Sequence, residues 1–423
     1  MKATKFLIHV PFFSAFVLAP LRGTLEYLDI IAIKQSLIAS VDILYCVTLA
    51  ILYFGLKKYT KFRRGMNYEN FFLVLSILSF ASLLVEFISL GYDSVNFSSL
   101  SQFKLCIYSI TVYFYIQLFS LGRLIPILYR YSLALCFFVI LSFFAIYIFE
   151  GTFGVPHVSG DRNYDAALLV IVSIVYLAGF TTKHSYYYNF PGGKLGVSFL
   201  YLCLFLCLSR TASASVLISS FMLLKNKISL KKVILLIVIA IIIFSSFVYS
   251  VNVRGLSFDI QSQDRFFMFL TYFDFFNDSP LSALSPRFQS IPLTSTPLSR
   301  LLWLSESQNI SADLAPGMYP FNLHAFVLRF VSHFGLIVSS FLMIVYFSIL
   351  KNILAVRKDL SLFWSYILFF VVNSLTLGLL YVQNMYFVVS IVPIILSSQI
   401  SHGFGLTTRQ ALRSTNTYRQ NPL

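Results

Sequence analysis

The chain has 423 residues, of which 58% are hydrophobic and 11% are charged, with a formal net charge of +15. An ordinary soluble domain is about 45–50% apolar and about 25% charged, so this chain has too few polar groups to cover a water-soluble globule. Its apolar runs reach about 20 residues without alternating, which excludes a β-barrel and predicts an all-α polytopic membrane protein.

The hydropathy pattern predicts about twelve transmembrane helices in a single membrane-embedded domain over residues 1–423. The spans 195–209 and 211–224 are separated by Arg210 alone, which predicts either a tight hairpin or one long broken helix. The first span follows a basic start, as in a signal peptide, but we interpret it as a retained helix because many spans follow. In chain order the predicted spans are 6–21, 36–56, 71–91, 105–121, 132–149, 165–181, 195–209, 211–224, 233–251, 324–350, 361–381 and 383–402.

Lysine and arginine cluster on one side of these spans, in segments 57–64, 225–232 and 351–358. The positive-inside rule assigns that side to the cytoplasm, and an even number of spans places both termini there. This asymmetry accounts for most of the basic charge, so the expected partner is a lipid bilayer and not nucleic acid. The outside loop 252–323 is long, and a loop of about 70 residues is commonly functional when it is ordered.

The motifs of several enzyme classes are absent from the sequence. It has no HExxH, CxxC, Gly-rich phosphate loop or GxSxG, and its six histidines lack metal-ligand spacing. We therefore expect no metal and no cofactor. The five cysteines lie inside apolar segments, which is typical of small packing residues.

A set of cationic residues lies at the outer ends of the predicted spans. A single arginine at a helix end commonly extends to lipid headgroups. A group of guanidinium groups instead matches a diphosphate, which it can grip through paired hydrogen bonds. The set consists of Arg162, Arg210, Arg254, Arg265, His324 and Arg329.

His324 begins the predicted span 324–350. On one continuous helix Gly335 would share the face of His324, and His333 would point to the opposite face. A histidine among arginines keeps its neutral form and can accept a proton. The alternative interpretation is an interfacial histidine bonded to loop backbone.

Four segments carry a familiar order of motifs. They are DRNYDAALL (161–169), SRTASASVLIS (209–219), SQDRFFMFLTYFDFFNDSPL (262–281) and HAFVLRFVSHFGL (324–336). Their order and spacing resemble the O-antigen polymerase and O-antigen ligase superfamily (Wzy and WaaL proteins). The chain departs from the family's His-Asn step, which is His324-Ala325 here, and from its Gly-x-Gly, which reads Ser-Ala-Leu-Ser at 282–285.

The resemblance implies a metal-independent GT-C-like glycosyltransferase with one large periplasmic loop. Its donor and acceptor would be undecaprenyl-diphosphate-linked oligosaccharides, used at the periplasmic face of the bacterial inner membrane. Arg210 and Arg265 would bind the diphosphate, with Arg162 and Arg254 as second choices. His324 would orient or deprotonate the acceptor hydroxyl, so that configuration inverts.

The expected function is therefore polymerisation of O-antigen or capsule repeat units, with a chain-length regulator and a flippase as further partners. The first alternative is an O-antigen ligase that transfers the finished glycan to lipid A-core. The second alternative, from a different class, is a lipid-linked oligosaccharide flippase or other carrier. A purely structural membrane protein is the remaining possibility.

Overall fold

The described elements are helices that pack into a bundle, together with one very short pair of strands. The computed structural model describes residues 6–27, 35–56, 67–90, 103–119, 124–151, 162–182, 190–207, 209–224, scattered helical residues between 233 and 248, 264–286, 291–292, 317–318, 325–355, 360–375 and 385–403. Strands β1 (Ile291–Pro292) and β2 (Gly317–Met318) pair antiparallel within the long loop.

The first half of the bundle contains α1 to α6. Helix α1 has three consecutive parts, an α-helical turn Val10–Phe13, a π-helical segment Ser14–Leu18 and an α-helical segment Ala19–Tyr27. The others are α2 (Gln35–Leu56), α3 (Asn67–Leu90), α4 (Phe103–Leu118), α5 (Leu124–Glu150) and α6 (Arg162–Thr182).

The second half contains α7 to α14. They are α7 (Gly193–Leu206), α8 (Arg210–Leu224), α9 (Asp264–Asp278), α10 (Pro280–Leu284), α11 (Phe326–Phe334), α12 (Leu336–Leu354), α13 (Ser361–Ser374) and α14, which joins a π-helical segment Met385–Ile391 to Val392–Gly403.

Three of the described helices are long and apolar enough to cross a membrane, namely α3, α5 and α12. Their outward faces carry large apolar side chains, such as Ile88 at 79% exposed and Ile344 at 68% exposed. Such surfaces are costly in water and stable against lipid. The described part of the chain is thus almost entirely helical, and three of its helices are candidates to span a membrane.

Helices α7 and α8 form a hairpin, which resolves the two arrangements that the sequence left open. The Tyr201 hydroxyl on α7 is hydrogen-bonded to Ser173 of α6 at 2.8 Å, and Ser209, at the start of α8, reaches Asn163 near the start of α6. Helix α8 also packs along α6. Helix α7 therefore runs towards the start of α6, where Ser209 lies. Helix α8 then runs along α6 in the opposite direction to α7.

A second reversal lies between α11 and α12. Gly335 has φ 75° and ψ 161°, outside the helical region, and ends α11 after nine residues. The Ser339 hydroxyl then donates to the carbonyl of Phe330 at 2.9 Å, across the turn. Phe326 and Met343 line one apolar cavity, whereas a straight helix would hold them about 25 Å apart at a rise of about 1.5 Å per residue.

The prediction of one span over 324–350 is therefore wrong. Helix α11 begins at Phe326, and Ala325 before it has an extended backbone. The phase relation expected between His324, His333 and Gly335 does not hold, because it required an unbroken helix. The helix of membrane length here is α12, and α11 folds back beside it as a re-entrant arm.

Aromatic contacts with α13 show how far α11 extends from the turn at Gly335 into the bundle. Phe326 at its start and Tyr346 on α12 both pack against Phe370 of α13, with ring centroids 5.6 and 5.8 Å away. Tyr346 lies 11 residues beyond Gly335 on the membrane-length helix, so about 16 Å of helix separates it from the reversal. The start of α11 therefore lies deep in the bundle, below the hairpin tip.

Tyrosine hydroxyls donate hydrogen bonds to backbone carbonyls that lack a helical N–H donor because a proline stands in the next turn. Pro393 has no N–H to give to the carbonyls four and five residues earlier, and these belong to Val389 and Val388. The Val389 carbonyl accepts from Tyr346 at 2.6 Å and shares the Tyr68 hydroxyl, at 3.0 Å, with the Ser390 carbonyl at 2.7 Å, and the Val388 carbonyl accepts from Tyr366.

The same device occurs in α1. Pro11 cannot donate to the Leu7 carbonyl, which accepts from the Tyr45 hydroxyl at 3.0 Å. Where no water reaches, an unsatisfied carbonyl costs several kcal/mol. These tyrosines therefore anchor the first and last helices to the bundle.

Candidate anion site at the starts of α6 and α8

The first turns of α6 and α8 are joined side by side. The Ser209 hydroxyl donates to the amide oxygen Oδ1 of Asn163 at 2.8 Å. The same hydroxyl oxygen accepts from the backbone N–H of Ala212 at 3.3 Å and so caps α8. Since Arg162 precedes Asn163 and Arg210 follows Ser209, the structure brings these two chain positions together.

The electrostatics at this junction favour an anion. Both helices direct their N-terminal ends, where the macrodipole is positive, to the same place. The Arg210 side chain is half-buried there. The Arg162 side chain lies outside the described residues. Asp165, in the first turn of α6, is 1% exposed, and its carboxylate offsets part of this positive potential.

Helix α13 holds the start of α8 from a second side. The Asn373 amide donates through Nδ2 to the Ser215 hydroxyl at 3.0 Å and to its own Phe369 carbonyl at 2.8 Å. Ser215 in turn donates to the Thr211 carbonyl at 2.8 Å. Asn373 and Ser215 are both fully buried. A connected chain of hydrogen bonds therefore runs from α13 to the residue next to Arg210.

The start of α9 packs against the start of α11. Phe267 and Met268 form a buried cluster with Ala325 and Leu328. Arg265 is the second residue of α9, and its side chain lies outside the described residues. His324, adjacent to Ala325, and Arg254 also lie outside them. The described backbone therefore brings the chain near Arg265 to the chain near His324.

Helix α13 connects these two junctions. Phe370 contacts Phe326 at the start of α11, and Asn373, about one turn further along α13, bonds to Ser215 of α8. The segment that carries Arg210 and the segment that follows His324 thus pack on neighbouring turns of one helix. This places the predicted site partly inside the bundle, because the start of α11 lies well below the tip of its hairpin.

Arg329 departs from the sequence prediction. It was expected on an open outer surface, but it lies on the re-entrant arm and is 7% exposed. The His333 ring, 1% exposed, is hydrogen-bonded through Nε2 to the Ser79 hydroxyl of α3 at 2.7 Å. Two ionisable side chains therefore lie inside the bundle on the same short helix.

Sequence reasoning missed this arrangement although a signal was present. The proposed span 324–350 would form a helix of about 27 residues, or roughly 40 Å, against a hydrocarbon core of roughly 30 Å. That excess length, together with Arg329, His333 and Gly335 near its start, indicates a break. Asn373 and Asn163 were also missed as polar residues at helix contacts.

The described geometry can bind a small anion and can orient a polar headgroup at the junction of α6, α8 and α13. It presents two helix starts, a half-buried arginine and a network of serine and asparagine side chains. Comparison of the chain with protein-family models and with curated proteins finds no match.

Proposed function

We propose that the chain is a metal-independent membrane glycosyltransferase that polymerises undecaprenyl-diphosphate-linked repeat units of O-antigen or capsule. The full proposal includes about twelve spans in a GT-C-like arrangement, both termini in the cytoplasm, and a site near the periplasmic face of the bacterial inner membrane. The motif order of the four segments and the cationic residues in them are its basis in the sequence.

The observation that carries the proposal is the hydrogen bond between Ser209 and Asn163. It joins two segments, far apart in sequence, that each contribute an arginine at a helix start. A departing diphosphate accumulates negative charge, and fixed donors and helix N-termini stabilise that charge without reorganising. Arg210 is the first guanidinium in this role, and Arg162, whose chain position lies beside it, is a second choice.

The remaining groups follow from the second junction. Arg265 would add a further guanidinium to the diphosphate, and Arg254 is kept as a second choice with Arg162. His324 would accept the proton of the acceptor hydroxyl, or orient that hydroxyl, as its oxygen bonds to the anomeric carbon and the diphosphate leaves from the opposite face. The sugar configuration would therefore invert.

The test is glycan analysis in a strain that carries single substitutions. Arg210→Ala or Arg265→Ala should abolish long-chain glycan at an unchanged protein level, and lysine at these positions should restore it only partly, because lysine lacks the bidentate fork. Arg130→Ala is the matched control, since Arg130 is an exposed arginine on α5, apart from the junction. Normal glycan in the Arg210 and Arg265 variants would refute the assignment.

Deletion of the gene separates the related alternatives. A lipid A-core that carries one repeat unit indicates a polymerase. Accumulated polymer on undecaprenyl diphosphate indicates a ligase.

A carrier of lipid-linked oligosaccharide is a second candidate, and one observation favours it. Arg329 and His333 are ionisable residues inside the bundle, on a re-entrant helix, and such residues commonly mark a transport path. In that case a deletion strain would hold its lipid-linked repeat units in the cytoplasmic leaflet. A polymerase deletion would hold them in the periplasmic leaflet.

A further inference from the structure

We infer that Asn373 is a positioning residue for the anion site, acting through Ser215 on the helix start that bears Arg210. This inference rests on the proposed function, because it assigns a role within the same diphosphate site. Asn373 itself is not placed in contact with substrate.

Two hydrogen bonds fix the position of the Asn373 amide. Asn373 Nδ2 donates both to the Ser215 hydroxyl at 3.0 Å and to the Phe369 carbonyl one turn earlier at 2.8 Å. The second bond holds the amide against its own helix. The side chain therefore presents a donor at a defined place on α13, and that donor fixes the Ser215 hydroxyl.

Ser215 links Asn373 to Thr211, the residue next to Arg210. With its oxygen fixed by Asn373, the Ser215 hydroxyl directs its proton to the Thr211 carbonyl at 2.8 Å. Other hydroxyls in this protein make the same local bond, as Ser332 does to the Leu328 carbonyl, and the bond from Asn373 adds to it a link to α13. Thr211 adjoins Arg210, and the first turns of α8 are thereby linked to α13 as well as to Asn163 on α6.

The hydrogen bond between Asn373 and Ser215 is shielded from water. Asn373 and Ser215 are both 0% exposed, so water does not compete for these hydrogen bonds. The two anchors act within the first two turns of α8, since Ser209 binds Asn163 on α6 and Ser215 binds Asn373 on α13. A guanidinium that must meet a diphosphate at hydrogen-bonding distance requires a helix start held in this way.

The interface of α8 and α13 also supplies a matched control. Further along the two helices, Ser219 donates to the Ser365 carbonyl and Ser365 donates to the Ser219 carbonyl, both at 3.2 Å. Both residues are fully buried. Ser365→Ala removes a hydrogen bond from the same helix pair, at Ser219, about two and a half turns of α8 away from Arg210.

The experiment measures binding of inorganic pyrophosphate to the full chain in lipid nanodiscs by calorimetry. Asn373→Ala and Ser215→Ala should each weaken binding roughly fivefold, the order expected for loss of one buried hydrogen bond. The double variant should weaken it no further, because both act through one chain of bonds. Ser215→Thr keeps the hydroxyl and should restore binding, and Ser365→Ala should leave it unchanged.

The outcomes separate the inference from the proposed function. If Arg210→Ala abolishes pyrophosphate binding but Asn373→Ala and Ser215→Ala bind as the unsubstituted protein does, the positioning role is refuted and the anion site stands. If Arg210→Ala leaves binding intact, the proposed site itself fails. If Ser365→Ala weakens binding as much as Asn373→Ala, the effect is general to the helix interface and the inference is overturned.

Discussion

The Ser339 hydroxyl donates a hydrogen bond of 2.9 Å to the carbonyl oxygen of Phe330, nine residues earlier in the chain. On a continuous helix nine residues span about 13 Å, so the bond exists only because the chain reverses at Gly335. The bond ties the two arms of the hairpin near its tip. The segment that leads out of the long loop is consequently placed inside the bundle.

Substitution of Gly335 should disrupt this reversal. An alanine there would carry a Cβ that collides with the Leu284 carbonyl group, whose carbon would lie 2.7 Å away, at a φ of 75° that side chains rarely adopt. We expect Gly335→Ala to lower the free energy of unfolding by about 2 kcal/mol or more. Thermal unfolding of the purified protein in detergent measures the change.

Gly55→Ala is the control for that experiment. A Cβ on Gly55, within α2, would meet nothing within 4 Å. Alanine has a higher helix propensity than glycine by about 1 kcal/mol, so this change should be neutral or stabilising. Equal loss of stability in both variants would contradict the reversal at Gly335.

The bond between Ser79 and His333 gives a second prediction. Ser79→Ala removes a 2.7 Å hydrogen bond from a histidine that is 1% exposed, which should cost about 1–3 kcal/mol. Ser109→Ala is the comparison, because Ser109 is equally buried but its hydroxyl has no hydrogen-bond partner among the described residues. Chemical unfolding in detergent should show a loss for Ser79→Ala alone.

The tyrosines at α14 give a third prediction, built as a double-mutant cycle. Tyr346→Phe removes one donor from the Val389 carbonyl and should cost about 1 kcal/mol. In a Pro393→Ala background the restored backbone N–H can serve that carbonyl, so the same change should cost less. Unfolding free energies of the four proteins test this, and equal costs in both backgrounds would contradict it.

His324 gives the fourth prediction, which concerns turnover. His324→Ala should lower the rate of polymerisation by about 10²- to 10⁴-fold, the range expected for loss of a general base, while pyrophosphate still binds. His324→Gln retains a hydrogen-bonding side chain without a basic nitrogen. Activity that Gln restores would mean that His324 orients the acceptor, and unaltered turnover in His324→Ala would remove it from the mechanism.

The helices were the part of the fold that the sequence predicted well. Long apolar runs determine where a membrane helix forms, and α3 and α4 follow the predicted runs 71–91 and 105–121 closely. The hydropathy of 324–350 did not separate α11 from α12, because two apolar helices joined by a tight turn have the same hydropathy profile as one continuous apolar helix. The reversal depends on a single dihedral at Gly335 and on its contact with Leu284, which are tertiary facts.

The candidate site was predictable only in its parts. The motifs indicated that Arg162 and Arg210 belong near each other, and the bond between Asn163 and Ser209 places their backbones so. Asn373 could not have been found from the sequence, since its role depends on the register between α13 and α8. The excess length of the predicted span 324–350 did indicate a break near Arg329, but it did not indicate that the arm carrying Arg329 folds back into the bundle.

The tyrosine bonds to α14 have a consequence for biogenesis. The last helix carries carbonyls that its own proline cannot serve, and their donors come from α3, α12 and α13. Released alone into lipid, that segment would leave polar backbone facing hydrocarbon. It should therefore leave the insertion machinery for a groove that α3, α12 and α13 have already assembled, so that packing of α14 waits until those helices are in place.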